Sequence, residues 1–137
     1  MAAFTLDPRL AADTLPLGRL VLCEARLFDD TRFPWLVLVP ARPGLVELTD
    51  LDEADRTLLM REIALAGRVL KDATNCHKLN VAALGNQVRQ LHLHVIARFE
   101  RDAAWPNPVW GRGARVPYEP QAAAAFAQRM KAAMDLR

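Results

Sequence analysis

The chain has little of what marks a secreted, membrane-embedded or polynucleotide-binding protein. It has two cysteines in 137 residues, Cys23 and Cys76. They are far apart and form no Cys-x-x-Cys pair, so a reduced, cytoplasmic setting is expected. The densest apolar run outside the expected helices, Leu36-Val37-Leu38-Val39, is far too short to span a membrane. Met1-Ala2-Ala3-Phe4-Thr5-Leu6-Asp7 lacks the basic stretch and long apolar run of a signal peptide. A formal net charge of +2, with scattered arginines, is too weak to bind a nucleic-acid polymer through bulk electrostatics. No repeat or low-complexity linker interrupts the chain, apart from an alanine run at 122–125. What remains is 52% apolar and 25% charged residues, ordinary for a soluble globular protein. The length fits one domain, 1–137, with a real core.

The local patterns predict consecutive strands around one long helix. A short helix is expected over 7–14, with Pro8 in its first turn and a break at 16–18. A strand follows over 19–27, then a turn at Asp29-Asp30-Thr31. Residues 35–39 form a second strand, apolar on both faces and therefore central. Thr49 and Asp50 open the long helix, with Asp52, Glu53 and Asp55 near its positive end. Leu59, Ile63, Ala66 and Leu70 recur at helical spacing as its buried stripe, and Asn75 is its stop. Strand 78–84 and a strand over 89–99 form an antiparallel hairpin about Gly85. An irregular packed segment over 101–117 holds Trp105, Pro106, Pro108 and Trp110. Pro120 starts a last helix with Phe126, Met130 and Ala133 on one side. The expected class is α+β: an antiparallel sheet of about five strands, one long helix packed on it and a C-terminal helix.

The chemistry concentrates in Gln90-Leu91-His92-Leu93-His94-Val95-Ile96. Period-two alternation sends Gln90, His92 and His94 to one face and Leu91, Leu93 and Val95 to the other. The apolar row buries, which leaves the imidazoles on the accessible face. Three readings are open. The histidines are satisfied surface residues; or His92 and His94 hold zinc, with His77, Cys76 and Cys23 as further candidates in no standard spacing; or one imidazole is a nucleophile in phosphoryl or nucleotidyl transfer. The last needs a donor beside the nucleophile and backbone that approaches phosphate closely, which Gly85 permits.

The stretch from Asn80 through Leu84-Gly85-Asn86-Gln87-Val88-Arg89 into the histidine strand resembles the signature of the histidine triad (HIT) family. Phe28-Asp29-Asp30, then 35–40 and a long helix, extend the likeness over about 19–110. The resemblance implies nucleotide binding and cleavage at the α-phosphate of a phosphoramidate, ester or dinucleoside polyphosphate. It implies that His92 is the nucleophile and that His94 bonds phosphate oxygens. It places Asn80 beside phosphate and nucleoside, makes Gly85, Asn86 and Gln87 the phosphate loop, and matches Asp30 to an acidic residue on the ribose. Asp30 reads equally well as a turn residue. Arg98 and Arg101 are expected to be solvated, and His77 to be a loop residue.

Two positions depart from the family. Gln90 stands at the first triad histidine, and Trp35 at a further histidine. Gln90 can donate or accept a hydrogen bond and so orient a neighbour, but it carries no proton near neutral pH. Any activity is therefore expected to favour good leaving groups, and Gln90→His to help poor ones most. Trp105 and Trp110 are expected in a core or subunit contact, with leaving-group contact across a dimer as the alternative. No cofactor or metal is implied. The expected partners are a nucleotide or dinucleotide small molecule and a second copy of the chain in a homodimer, with no membrane. A nucleotide-binding protein with little turnover is the rival reading.

Overall fold

The computed structural model describes residues 3–137. Its strands are β1 (Thr14–Arg19), β2 (Cys23–Phe28), β3 (Trp35–Pro40), β4 (Lys78–Ala82) and β5 (Leu93–Arg98); its helices are α1 (Pro8–Asp13), α2 (Glu53–Thr74) and α3 (Pro120–Met134). They build one five-stranded sheet in the order β1-β2-β3-β5-β4, antiparallel throughout. The expected α+β class, with a long helix on the sheet and a C-terminal helix, is the fold found.

β3 is the middle strand and is buried at every position, as an unbroken apolar run requires. Alternation then sorts side chains into two cores. Leu36, Leu38, Leu91, Leu93 and Val95 lie with Leu59, Ala66 and Leu70 of α2. Trp35, Val37, Val39 and Ile96 face the other way, with Leu10, Phe33, Ala104 and Val109. This second core corrects the expectation that the histidine face is open. Phe4, Leu6 and Leu10 from one end of the chain, and Val109 and Trp110 from another loop, cover it. These residues show no periodicity, so nothing in the sequence marks them as a layer.

Several boundaries move for identifiable reasons. The strand expected over 19–27 is two strands, β1 and β2, joined by a tight turn in which the Leu20 N–H donates to the Cys23 carbonyl at 2.9 Å. Glu62, on the buried face of α2, fastens this turn by accepting from the N–H groups of Leu22 (2.8 Å) and Cys23 (2.9 Å). A glutamate there looks like a solvent-facing residue in sequence. Pro16 does not break the chain but sits within β1, which tolerates it as an edge strand with a bulge between Pro16 and Gly18. β1 is in turn closed at Arg19, whose N–H donates to the Arg137 carbonyl (2.9 Å) and whose carbonyl accepts from the Arg137 N–H (3.3 Å).

α2 starts at Glu53, not at residues 49–50, because the Asp52 side chain caps it by accepting from the Asp55 N–H. Asn75 ends it in the left-handed conformation, φ 54°. β5 begins at Leu93 rather than 89, since the Leu91 N–H leaves the ladder for the Leu45 carbonyl. In α3 the buried residues are Ala123, Met130 and Met134, while Ala133 is exposed, one position off the expected stripe. Among the described residues no helix is long and apolar enough to cross a membrane.

Candidate functional site

The two histidines arrive together at the start of β5. Their ring centroids are 4.9 Å apart and nearly perpendicular, at 78°. His92 is 6% exposed and His94 is 5% exposed. Each ring is held by one nitrogen, and the partner dictates the tautomer. His92 Nδ1 lies 2.6 Å from the Gln90 carbonyl. A carbonyl only accepts, so Nδ1 carries hydrogen and the Nε2 lone pair of the neutral ring is free. His94 Nδ1 lies 3.0 Å from Trp35 Nε1. An indole N–H only donates, so His94 Nδ1 accepts and its Nε2 carries hydrogen. Burial, with His92 alongside, holds the His94 pKa down to about 3, so this ring stays a neutral donor.

Trp35 is thus the anchor of His94, a role its sequence position did not disclose. It also stacks on Phe28 (centroids 4.0 Å apart) and meets Trp110 edge-on at 5.7 Å, while Trp110 meets His94 at 5.1 Å. Trp110 therefore belongs to the site of its own chain.

His92 and His94 open into a cavity of about 410 Å³ that Gly85, Asn86, Gln87 and Trp110 also line. Gly85 turns the loop with φ 72°, a left-handed angle that favours glycine. Leu10 and Arg9 of α1 form another wall, which the sequence reading missed because six residues of helix carry no recognisable site signal. A smaller cavity of about 210 Å³ shares His92 and Gly85 and is lined further by Glu47, Thr49, Arg89 and Gln90.

Three expected site residues point to the protein itself. Asn80 Oδ1 accepts from Arg98 Nη1 at 2.7 Å. Arg98, expected in solvent, is 1% exposed. It is tolerated inside because Asp102 pairs with it at 2.7 and 3.1 Å, the Asn107 carbonyl accepts at 2.8 Å, and the ring faces of Phe33 and Trp105 lie nearby. Burial alone would raise the Asp102 pKa, but Arg98 and the N–H groups of Phe99, Ala104 and Trp105 outweigh it and hold the carboxyl down to about 2. Asp30 is also buried, and its carboxylate takes Arg32 at 2.9 and 3.0 Å and the Val116 N–H at 3.2 Å. Burial works against this carboxylate as well, and the Arg32 and backbone bonds bring its pKa below the usual range.

The third is Gln90. Its Oε1 accepts from the Asp7 N–H at 2.8 Å and its Nε2 donates to the Thr5 carbonyl at 2.8 Å. The neighbour it orients is backbone. Exposed Arg101 and His77 lie outside both cavities, with His77 edge-on to Trp105 at 5.2 Å. Among the described residues no group of three or more His, Cys, Asp or Glu side chains is placed to hold a metal ion.

A paired-imidazole strand behind a glycine loop, on a five-stranded antiparallel sheet, is the arrangement of the HIT domain, whose family model matches residues 11–101. The chain belongs to this family. Among solved structures it is similar to a histidine triad protein from Bradyrhizobium japonicum, with 44% identity, 97% of this chain and 99% of that one covered, and a TM-score of 0.95. One from Sinorhizobium meliloti 1021 is 48% identical over 94% of this chain and 96% of that one, TM-score 0.92. One from Marinobacter aquaeolei VT8 is 39% identical over 98% of both chains, TM-score 0.95. No curated protein matches the sequence.

Proposed function

We propose that the chain is a nucleotide-binding HIT protein that hydrolyses or transfers nucleotidyl groups through a covalent nucleotidyl-His92. The observation that carries this is the His92 ring, fixed through Nδ1 on the Gln90 carbonyl with its Nε2 lone pair free beside the neutral donor His94. Nε2 attacks the α-phosphorus, the Nε2–P bond forms, and the bond to the leaving group breaks with its electron pair going to that group. The Nδ1–H bond to the carbonyl stabilises the positive charge the ring acquires. His94 Nε2–H donates to a non-bridging phosphate oxygen, and the Gly85-Asn86-Gln87 turn meets the phosphates. Water then attacks phosphorus, the Nε2–P bond breaks with its electron pair returning to Nε2, and the proton of the attacking water passes to solvent, which restores His92. Asn80 and Asp30 act indirectly in this reading, by fixing Arg98 and the 30–32 turn.

Neither His94, neutral down to about pH 3, nor the Gln90 amide supplies a proton to a departing group. General acid help is worth about a hundredfold or more, so turnover favours leaving groups that need none. The same lack of an acid favours a second reading, nucleotide binding with little turnover.

Mass spectrometry of the protein mixed with a panel of activated nucleotides tests the proposal. A nucleotide adduct on His92 is expected. His92→Ala should lose the adduct and reduce turnover by about a thousandfold or more, with the fold retained. Full turnover by His92→Ala would overturn the nucleophile assignment. Tight binding without adduct or turnover would favour the second reading.

The proposal includes one domain over 1–137 working as a cytoplasmic homodimer. Two buried free cysteines support a reduced setting, with Cys23 made inert by burial and the Glu62 carboxylate, which push its thiol pKa up. The β4 edge, where Val81 is 49% exposed, supports pairing with a second copy. A monomer mass by light scattering at micromolar concentration would refute the dimer.

A further inference from the structure

Gln90 is where this chain departs from its family's histidine pattern, and its side chain makes two well-formed hydrogen bonds to one short backbone segment. We propose that Gln90 is a positioning residue that fastens residues 5–7 and thereby sets the α1 wall of the substrate cavity. The proposal rests on the nucleotide-site reading above and assigns Gln90 to substrate affinity rather than to proton transfer.

The bonds have a recognisable pattern. The Thr5 carbonyl and the Asp7 N–H flank Leu6 and are taken together by one partner, as a residue of a neighbouring parallel strand would take them. A primary amide offers an acceptor and a donor side by side and fits this pair. An imidazole does not, because its two nitrogens diverge and its neutral form has one donor and one acceptor on opposite flanks. The glutamine is therefore matched to the backbone it holds.

What it holds leads directly into the cavity. Leu6, between the two bonds, packs in the second core beside Leu10. Asp7, whose N–H Gln90 fixes, caps α1 by accepting from the Arg9 N–H at 2.8 Å. The next side chains, Arg9 and Leu10, face the cavity that contains His92 and His94. Gln90 thus lies two residues before the nucleophile, in the segment that leads into β5, and orders the opposite wall through residues 5–7. The wall carries both signs of charge, because Asp13 of α1 also lines the cavity and lies 3.9 Å from Arg9 Nε, so a shift of α1 moves a cation and a carboxylate together.

Amide hydrogen exchange and steady-state kinetics on Gln90→Glu, Gln90→His and Gln90→Ala test this. Gln90→Glu keeps the acceptor for the Asp7 N–H but turns an oxygen towards the Thr5 carbonyl. It provides a near-isosteric variant should the others fold poorly. Exchange at Asp7 and over 9–13 should accelerate by about tenfold, the equivalent of one lost hydrogen bond, in His and Ala, and by less in Glu. KM for an activated nucleotide should rise in the same order, by more than kcat falls. No new ionisation should enter the kcat profile of Gln90→His.

Unchanged exchange in all three variants would overturn the proposal, as would a Gln90→His protein with higher kcat for poor leaving groups at unchanged KM. Faster exchange with unchanged KM would overturn the link to the cavity. If the wild-type protein neither binds nor turns over nucleotides, the functional reading fails, and the exchange data alone decide whether Gln90 orders α1.

Discussion

At the scale of single residues, the state of each imidazole follows from its partner. Trp35 makes His94 an Nε2–H donor, and without the indole N–H the buried Nδ1 acceptor is unsatisfied, at a cost of about 1–3 kcal/mol. Trp35→Phe should therefore lower stability by that amount in urea unfolding and broaden the His94 tautomer population. Nitrogen chemical shifts of the His94 ring read the tautomer directly: a single Nε2–H form is expected in the wild type and a mixture in the variant. A variant with an unchanged spectrum would show that Trp35 does not fix the ring. This contact also marks what a sequence can tell at this scale. Spacing alone put His92 and His94 on one face, because period two is a property of the strand. The indole that holds His94 is 59 positions away, and only the β3–β5 register, with Trp35 opposite Ile96, brings the two together.

At the scale of elements, the loop after β5 is built around an ion pair. Arg98 and Asp102 are 1% and 4% exposed at their side chains, and Asp102 also accepts from three backbone N–H groups. Removing the carboxylate leaves a buried cation unpaired, so Asp102→Ala should cost about 3–5 kcal/mol in denaturant unfolding. Pairing it with Arg98→Met should recover only part of this, because the N–H groups of Phe99, Ala104 and Trp105 still lack their acceptor. Full recovery would mean that the loop does not depend on Asp102. The loop also explains a limit of the sequence reading. Its prolines and tryptophans mark it as packed and irregular, but arginine and aspartate four residues apart at a strand end read as solvated charges. Their burial depends on Asn80 from β4 and Asn107 from the loop itself, which no local pattern connects. Long elements with uninterrupted patterns, β3 and α2, are legible for the opposite reason: their burial is a property of their own periodicity.

At the scale of the whole molecule, buried groups with displaced pKa values couple stability to pH. The folded pKa of His94 is about 3, against an ordinary value of 6.5. Below pH 6.5 the unfolded chain takes up a proton that the folded ring refuses. Stability from this site is therefore complete above about pH 6.5 and declines towards pH 3, by up to about 1.4 kcal/mol per pH unit. Asp102, at about 2 against 3.8, adds a second loss below pH 3.8. The urea midpoint should accordingly fall from pH 7 to pH 4, and His94→Gln should flatten that part of the profile while keeping the fall below pH 4. A flat wild-type profile would indicate that His94 takes up its proton in the folded state.

The hydrogen bonds between Arg19 and Arg137 bear on how copies of the molecule can add to one another. A sheet with two free borders can elongate without limit, each copy offering a new template to the next. Here the protein's own chain takes the Arg19 end of the β1 border, and β4 forms the other border. In the homodimer proposed above, two copies joined β4 to β4 by a twofold axis would use up both β4 borders at once, and each remaining β1 border would carry the Arg137 contact at its end.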